Sequence, residues 1–160
     1  MKDKVRILYS ILHYSMLMIL FGLIYEQIVF IPNYLIPFTE NKSQLFNDFH
    51  SITNPIHYHA LPSIIAIFCL VIFWFNKSIS KKIKFTLSFC VFTLLASTFY
   101  VINFVNGYLF FNKTLPDHVS FFGLALEWSI VNFVRIIVLI IGLKNMNRIV
   151  KTTANSVQAS

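Results

Sequence analysis

Three charged residues fall inside long apolar stretches of this 160-residue chain: Glu26 in the first stretch, and Glu127 and Arg135 in the last. A charge at the centre of a bilayer costs roughly 3 kcal/mol even on the mildest scale, so such residues persist where they bind, react or hold helices together. Two carboxyls against one guanidinium leave one acid without a cationic partner, unless it is protonated or holds a cation. Burial favours the neutral acid, which can donate a proton as general acid and take one back as base. Alternatively, two glutamates with imidazole form a ligand set for Fe, Mn or Zn, and His57 and His59 open the second apolar stretch as the imidazole candidates. They are two residues apart, on different sides of a helix, so both reach one ion only across an irregular turn. No H-E-x-x-H or E-x-x-H spacing occurs to declare a standard metal site.

The elements that must position these groups are membrane spans. With 57% hydrophobic and 12% charged residues, the chain falls far from soluble domains, which are about a quarter charged. Four stretches approach the ~20 apolar residues that cross a bilayer: 7–31, 58–75, 85–104 and 119–143. Pro62 sits in the opening turns of the second, where a missing N–H costs little. Four short-looped helices bury little except against each other. The expected fold is therefore all-α, an integral membrane four-helix bundle forming one domain over residues 1–151, with a disordered tail over 152–160. The first stretch is too long for a signal peptide and carries Glu26 and Gln27 near its end.

The net charge of +7 is distributed for a membrane and not for nucleic acid. Ten of the thirteen basic residues flank one side: Lys2, Lys4 and Arg6; Lys77, Lys81, Lys82 and Lys84; Lys144, Arg148 and Lys151. With an even number of spans, this positive-inside pattern puts both termini in the cytoplasm and the loops 32–57 and 105–118 outside. The expected location is the cell membrane, multi-pass, and the inner membrane in a Gram-negative cell. Cys69 and Cys90 lie inside spans without a C-x-x-C, as small apolar fillers.

Counting 1.5 Å per helical residue from the span ends gives depths. Glu26 and Gln27 fall near the outer end of span one, His57 and His59 at the mouth of span two, and Asn103 and Asn106 at the outer end of span three. Glu127, Asn132 and Arg135 descend through the outer half of span four. Every span thus contributes polar groups to one half of the bundle. Trp128, Asn132 and Arg135 share a face at i, i+4, i+7, and Glu127 lies about 80° round from Arg135 and roughly 12 Å away along the axis. A direct pair between them is disfavoured, and Arg135 is free to reach toward Glu26, Asn132 or a ligand. Tyr25, Tyr58, Asn103 and Trp128 are the candidates to contact a substrate at this depth. In the first outer loop, Pro32 and Pro37 are expected to break helix one, and Leu45, Phe46, Phe49 and Ile52 recur at helical spacing in a short amphipathic helix that could cover the site.

Three short patterns resemble a family. They are Gly22-x-x-Tyr25-Glu26-x-x-Val29-x-x-Pro32, then Asn54-Pro55-x-x-Tyr58, then Trp128-x-x-x-Asn132-x-x-Arg135. The chain resembles the small four-span bacterial membrane proteins of the anthrone-oxygenase-like family, most of whose members are uncharacterised. The resemblance implies a four-helix membrane bundle with family-like positions at Glu26, Asn132 and Arg135. For the namesake members it implies oxidation of a flat, lipophilic aromatic ketone.

Two functions follow as expectations. In the first, the chain is a membrane-embedded oxidoreductase or oxygenase acting on a lipophilic small molecule: Glu26 and Glu127 act as acid and base or as metal ligands, Arg135 holds an anionic oxygen beside Asn132, and His57 or His59 assists. In the second, the same cluster serves a non-catalytic binding or accessory subunit or a small transporter. The partners expected are the lipid bilayer and a lipophilic small molecule, with room for a homodimer or a partner membrane protein, although no GxxxG motif supports pairing.

Overall fold

The computed structural model describes residues 2–35, 55–77, 79–109 and 119–158, all of which are helical or short connections. Four helical rods result. The first joins α1 (Lys2–Tyr25), a π-helical turn π1 (Glu26–Phe30) and α2 (Ile31–Leu35). The second is α3 (Pro55–Phe75). The third joins α4 (Lys81–Tyr100), a second π turn π2 (Val101–Val105) and α5 (Asn106–Leu109). The fourth is α6 (Phe121–Gln158). Three of the rods are long and apolar enough to cross a membrane, over Arg6–Asn33, Lys81–Leu109 and Phe121–Asn147, and the second supplies a shorter apolar helix, His59–Phe75.

Each rod packs on its neighbours in the chain, and the fourth also packs on the first, so the rods form a ring in the order one, two, three, four. The faces turned away from the ring are apolar: Phe21, Ile28, Phe75 and Phe92 are each more than 60% exposed. A water-facing surface does not carry contiguous apolar area on this scale, whereas a lipid-facing one requires it.

One expectation about a helix end is corrected. Pro32 does not break the first rod, which runs on to Leu35. A proline in an α-helix loses one bond and clashes with the carbonyl four residues back. Here the wider π turn precedes it, the Ile31 N–H bonds to the Glu26 carbonyl five residues back, and the Asn33 side chain donates to the Val29 carbonyl. The fourth rod continues to Gln158. Residues 143–158 hold no glycine or proline to stop it. The amphipathic helix expected in the first outer loop lies outside the described residues.

Buried side chains fall into two apolar clusters. The larger lies toward the basic end and takes residues from all four rods, including Leu12, Met16, Phe73, Leu87, Val91 and Leu139. The smaller lies toward the other end, around Phe30, Ile31, Val101, Val105, Leu124 and Trp128, and among the described side chains includes none from α3. Close approach below is set by Gly142, where an added Cβ would stand 2.6 Å from Met16 Cε and 3.4 Å from Cys90 Sγ. A void among Met16, Ser63, Ala66 and Leu94, of about 10 Å³, is no larger than one water.

The basic end is closed by a tight hairpin. Ser80 caps α4 by accepting from the Ile83 N–H at 3.4 Å. Lys84, buried at 8% exposure, reaches back so that its Nζ donates to the Trp74 carbonyl at the end of α3, 2.9 Å away. A cation at a helix C-terminus satisfies an orphan carbonyl and offsets the helix dipole. Trp74 Nε1 in turn donates to Ser88 at 2.8 Å.

Candidate functional site

Between the two apolar clusters lies a polar belt built from all four rods. Glu26 opens π1 and is 4% exposed; Asn132 and Arg135, one turn apart on α6, are 0% and 3% exposed. The π turn inserts extra backbone just where Glu26 and Gln27 must both face neighbours, and such turns recur at functional positions. A matching turn, π2, begins directly after Tyr100 on the third rod.

Across the seam between the first and second rods, Glu26 Oε1 stands 2.8 Å from His59 Nε2, and both side chains are nearly buried. His59 occupies the first turns of α3, so the short second rod ends at the belt and brings its imidazole there. An imidazole held by a buried carboxylate has a fixed orientation and a ready counter-charge for its protonated form. That is an acid–base pair in geometry as well as in composition.

Across the seam between the first and fourth rods run amide and hydroxyl ties. Asn132 Nδ2 donates to the Leu23 carbonyl at 2.8 Å and to Gln27 Oε1 at 3.3 Å, and Gln27 Nε2 donates to Ser129 Oγ at 2.8 Å. Because the Leu23 carbonyl can only accept, the amide nitrogen of Asn132 must face it, which leaves Oδ1 as the atom without a partner among the described residues.

Across the seam between the third and fourth rods, Arg135 donates to Thr98 Oγ1 at 2.8 Å, and Thr98 donates onward to the Leu94 carbonyl at 2.7 Å. Arg135 has no carboxylate within ion-pair distance among the described residues. Its Nε has no hydrogen-bond partner among them either. On the lipid side of the same seam, the Tyr100 hydroxyl donates to Glu127 Oε1.

The structure thus brings together Glu26, His59, Asn132 and Arg135 among the residues singled out by the sequence. It places Glu127 elsewhere: half-buried, on the seam opposite Glu26–His59, and bound to a tyrosine. The joint role of Glu26 and Glu127 with the histidines as metal ligands therefore lacks geometric support. Among the described residues no three His, Cys, Asp or Glu side chains form a metal-holding group. The side chains of His57 and Tyr58 lie outside the described residues. Trp128 is buried in the smaller cluster, while Tyr25 and Asn103 are exposed; Tyr25 lies edge-on to Phe30 at 5.2 Å, and Asn103 donates to the Phe99 carbonyl of its own helix.

Thr98 and Ser129 were not evident from the sequence, because small hydroxyl residues in spans commonly bond their own helix. No protein-family model matches the chain, and no curated protein or solved structure is similar to it. The resemblance to anthrone-oxygenase-like proteins therefore rests on its quoted residues alone.

Proposed function

We propose that this chain is a multi-pass membrane protein of four spans, with its basic end and both termini in the cytoplasm, and that its polar belt is the active site of an enzyme acting on a lipophilic small molecule. One observation carries this reading: the buried Glu26–His59 contact at 2.8 Å. His59 takes a proton from the substrate, and Glu26 stabilises the imidazolium that results. Arg135 compensates negative charge left on a substrate oxygen, and Asn132 ties its helix to the first rod so that the two groups keep their spacing. Oxidation, as in an oxygenase, is the part of the proposal that rests on the family resemblance and not on the belt.

A second reading has its own support, since the belt's hydrogen bonds join the first, third and fourth rods to one another. In that reading the belt locks the helices of a binding or accessory subunit or a small transporter.

The test uses protein in nanodiscs, offered a panel of flat aromatic ketones, with substrate loss read by mass spectrometry and oxygen uptake followed in parallel. Glu26→Gln keeps a side chain of the same shape and can still bond His59. The enzyme reading expects turnover to fall by about 10²–10⁴-fold with the thermal unfolding midpoint nearly unchanged. Turnover that survives Glu26→Gln in folded protein removes Glu26 from the chemistry. No turnover by the unaltered protein on any ketone, together with a large loss of stability in Glu26→Gln, favours the lock.

A further inference from the structure

We propose that the Tyr100–Glu127 seam is a second, separate site, open to the bilayer, that takes the ammonium group of a single-tailed amphiphilic amine. The charges within the rods point to it. Glu26 has His59 at 2.8 Å, whereas Glu127 has a phenol and, among the described residues, no cation. One Glu127 oxygen accepts from the Tyr100 hydroxyl, and the other has no partner among the described residues. A carboxylate oxygen at the lipid boundary is costly when bare, and a cationic donor relieves that cost best.

The surroundings specify the cation further. Tyr100 stacks on Phe104 with centroids 5.4 Å apart and planes 27° from parallel, and both rings are exposed, so an aromatic wall stands beside the carboxylate. Carboxylate and aromatic faces together suit an alkylammonium group more than a hydroxyl. Below Glu127, the residues at i+3, i+7 and i+10 on the same face are Ile130, Val134 and Ile137, all exposed. They make an apolar track leading away from the acid along α6, a surface for one alkyl chain. Glu127 itself lies six residues below the start of α6, roughly 9 Å along the axis, within reach of a headgroup at the membrane surface. The ammonium belongs to a free lipophilic amine or to the headgroup of a single-chain lysophospholipid.

The experiment is native mass spectrometry of the full chain released from phosphatidylcholine nanodiscs loaded with dodecylamine, with dodecanol as the uncharged control. The expected result is one saturable dodecylamine per chain and no dodecanol. Glu127→Gln, which can still accept from Tyr100, should lower dodecylamine affinity about tenfold or more, the loss of one charge-assisted bond. Tyr100→Phe should lower it less, and Glu26→Gln should bind as the unaltered protein does. Adducts that are equal in Glu127→Gln, or equal with dodecanol, overturn the site, and a matching loss in Glu26→Gln overturns its separateness. Displacement by added lysophosphatidylethanolamine, which has one acyl chain, assigns the ammonium to a headgroup, and persistence assigns it to a free amine; the site stands in either case.

Discussion

The half of the bundle toward the basic end and the belt above it hold the same four rods together by different means. Below, contact is dry: Leu12, Met16, Phe73 and Leu139 interdigitate with almost no exposure, and Gly142 lets two rods approach to the limit. In the belt, contact is directional, through Asn132 to Leu23, Gln27 to Ser129 and Arg135 to Thr98. Between apolar helices in lipid there is little hydrophobic drive to associate, so shape complementarity and interhelical hydrogen bonds must supply the affinity. The lower half uses the first means and the belt the second. The lower half is therefore free to be inert, and under the proposed function the belt combines cohesion with chemistry.

Three substitutions sharpen or break that contrast. The largest effect on stability should come from Phe73→Ala, which empties a fully packed position and costs about 3 kcal/mol in reversible detergent unfolding. Turnover by molecules that remain folded should be unaffected; a loss of turnover in folded protein would show that the lower half is not inert. Asn132→Leu comes next, at about 1–2 kcal/mol, because it removes two donated bonds and leaves the Leu23 carbonyl and Gln27 Oε1 without them. Hydrogen exchange should then rise around Leu23 and Gln27 and stay unchanged around Leu87 and Val91. A uniform rise would mean that the halves do not act separately. Gly142→Ala should be the mildest, below about 1 kcal/mol, since the obstructing atom is the terminal methyl of flexible Met16 and can swing aside. A cost of several kcal/mol there would mean that the lower half tolerates no adjustment.

The helices were legible from apolar run length, and the belt from the depth at which Glu26, His59, Asn132 and Arg135 fall in their spans. The pairing within the belt was not legible. Helical phase let Glu127 and Arg135 both face inward, but phase alone does not say which seam a residue meets, and Glu127 meets the third rod on its lipid side. His59 went to Glu26 because α3 begins level with the belt, and the start of a helix is poorly marked in an apolar sequence. Pro32 misled for a local reason. Its usual effect assumes an α-helical turn before it, and nothing in hydrophobic periodicity announces a π turn.

Those two π turns have a consequence for how the molecule can change over time. Below them, buried positions on the first rod step by four and three, through Leu12, Met16, Ile19 and Leu23; above, Phe30 and Ile31 are buried side by side. On the third rod, Val101, Val105 and Leu109 step by fours. Each π turn acts as one surplus residue, equivalent to about 100° of helical phase. Because the surplus sits at the same level on two non-adjacent rods, the outer ends are out of register with the inner ends by a shared offset. A change of side-chain size beyond the π turns is thereby buffered from the packing toward the basic end, so the two ends of the bundle can loosen or tighten one without the other.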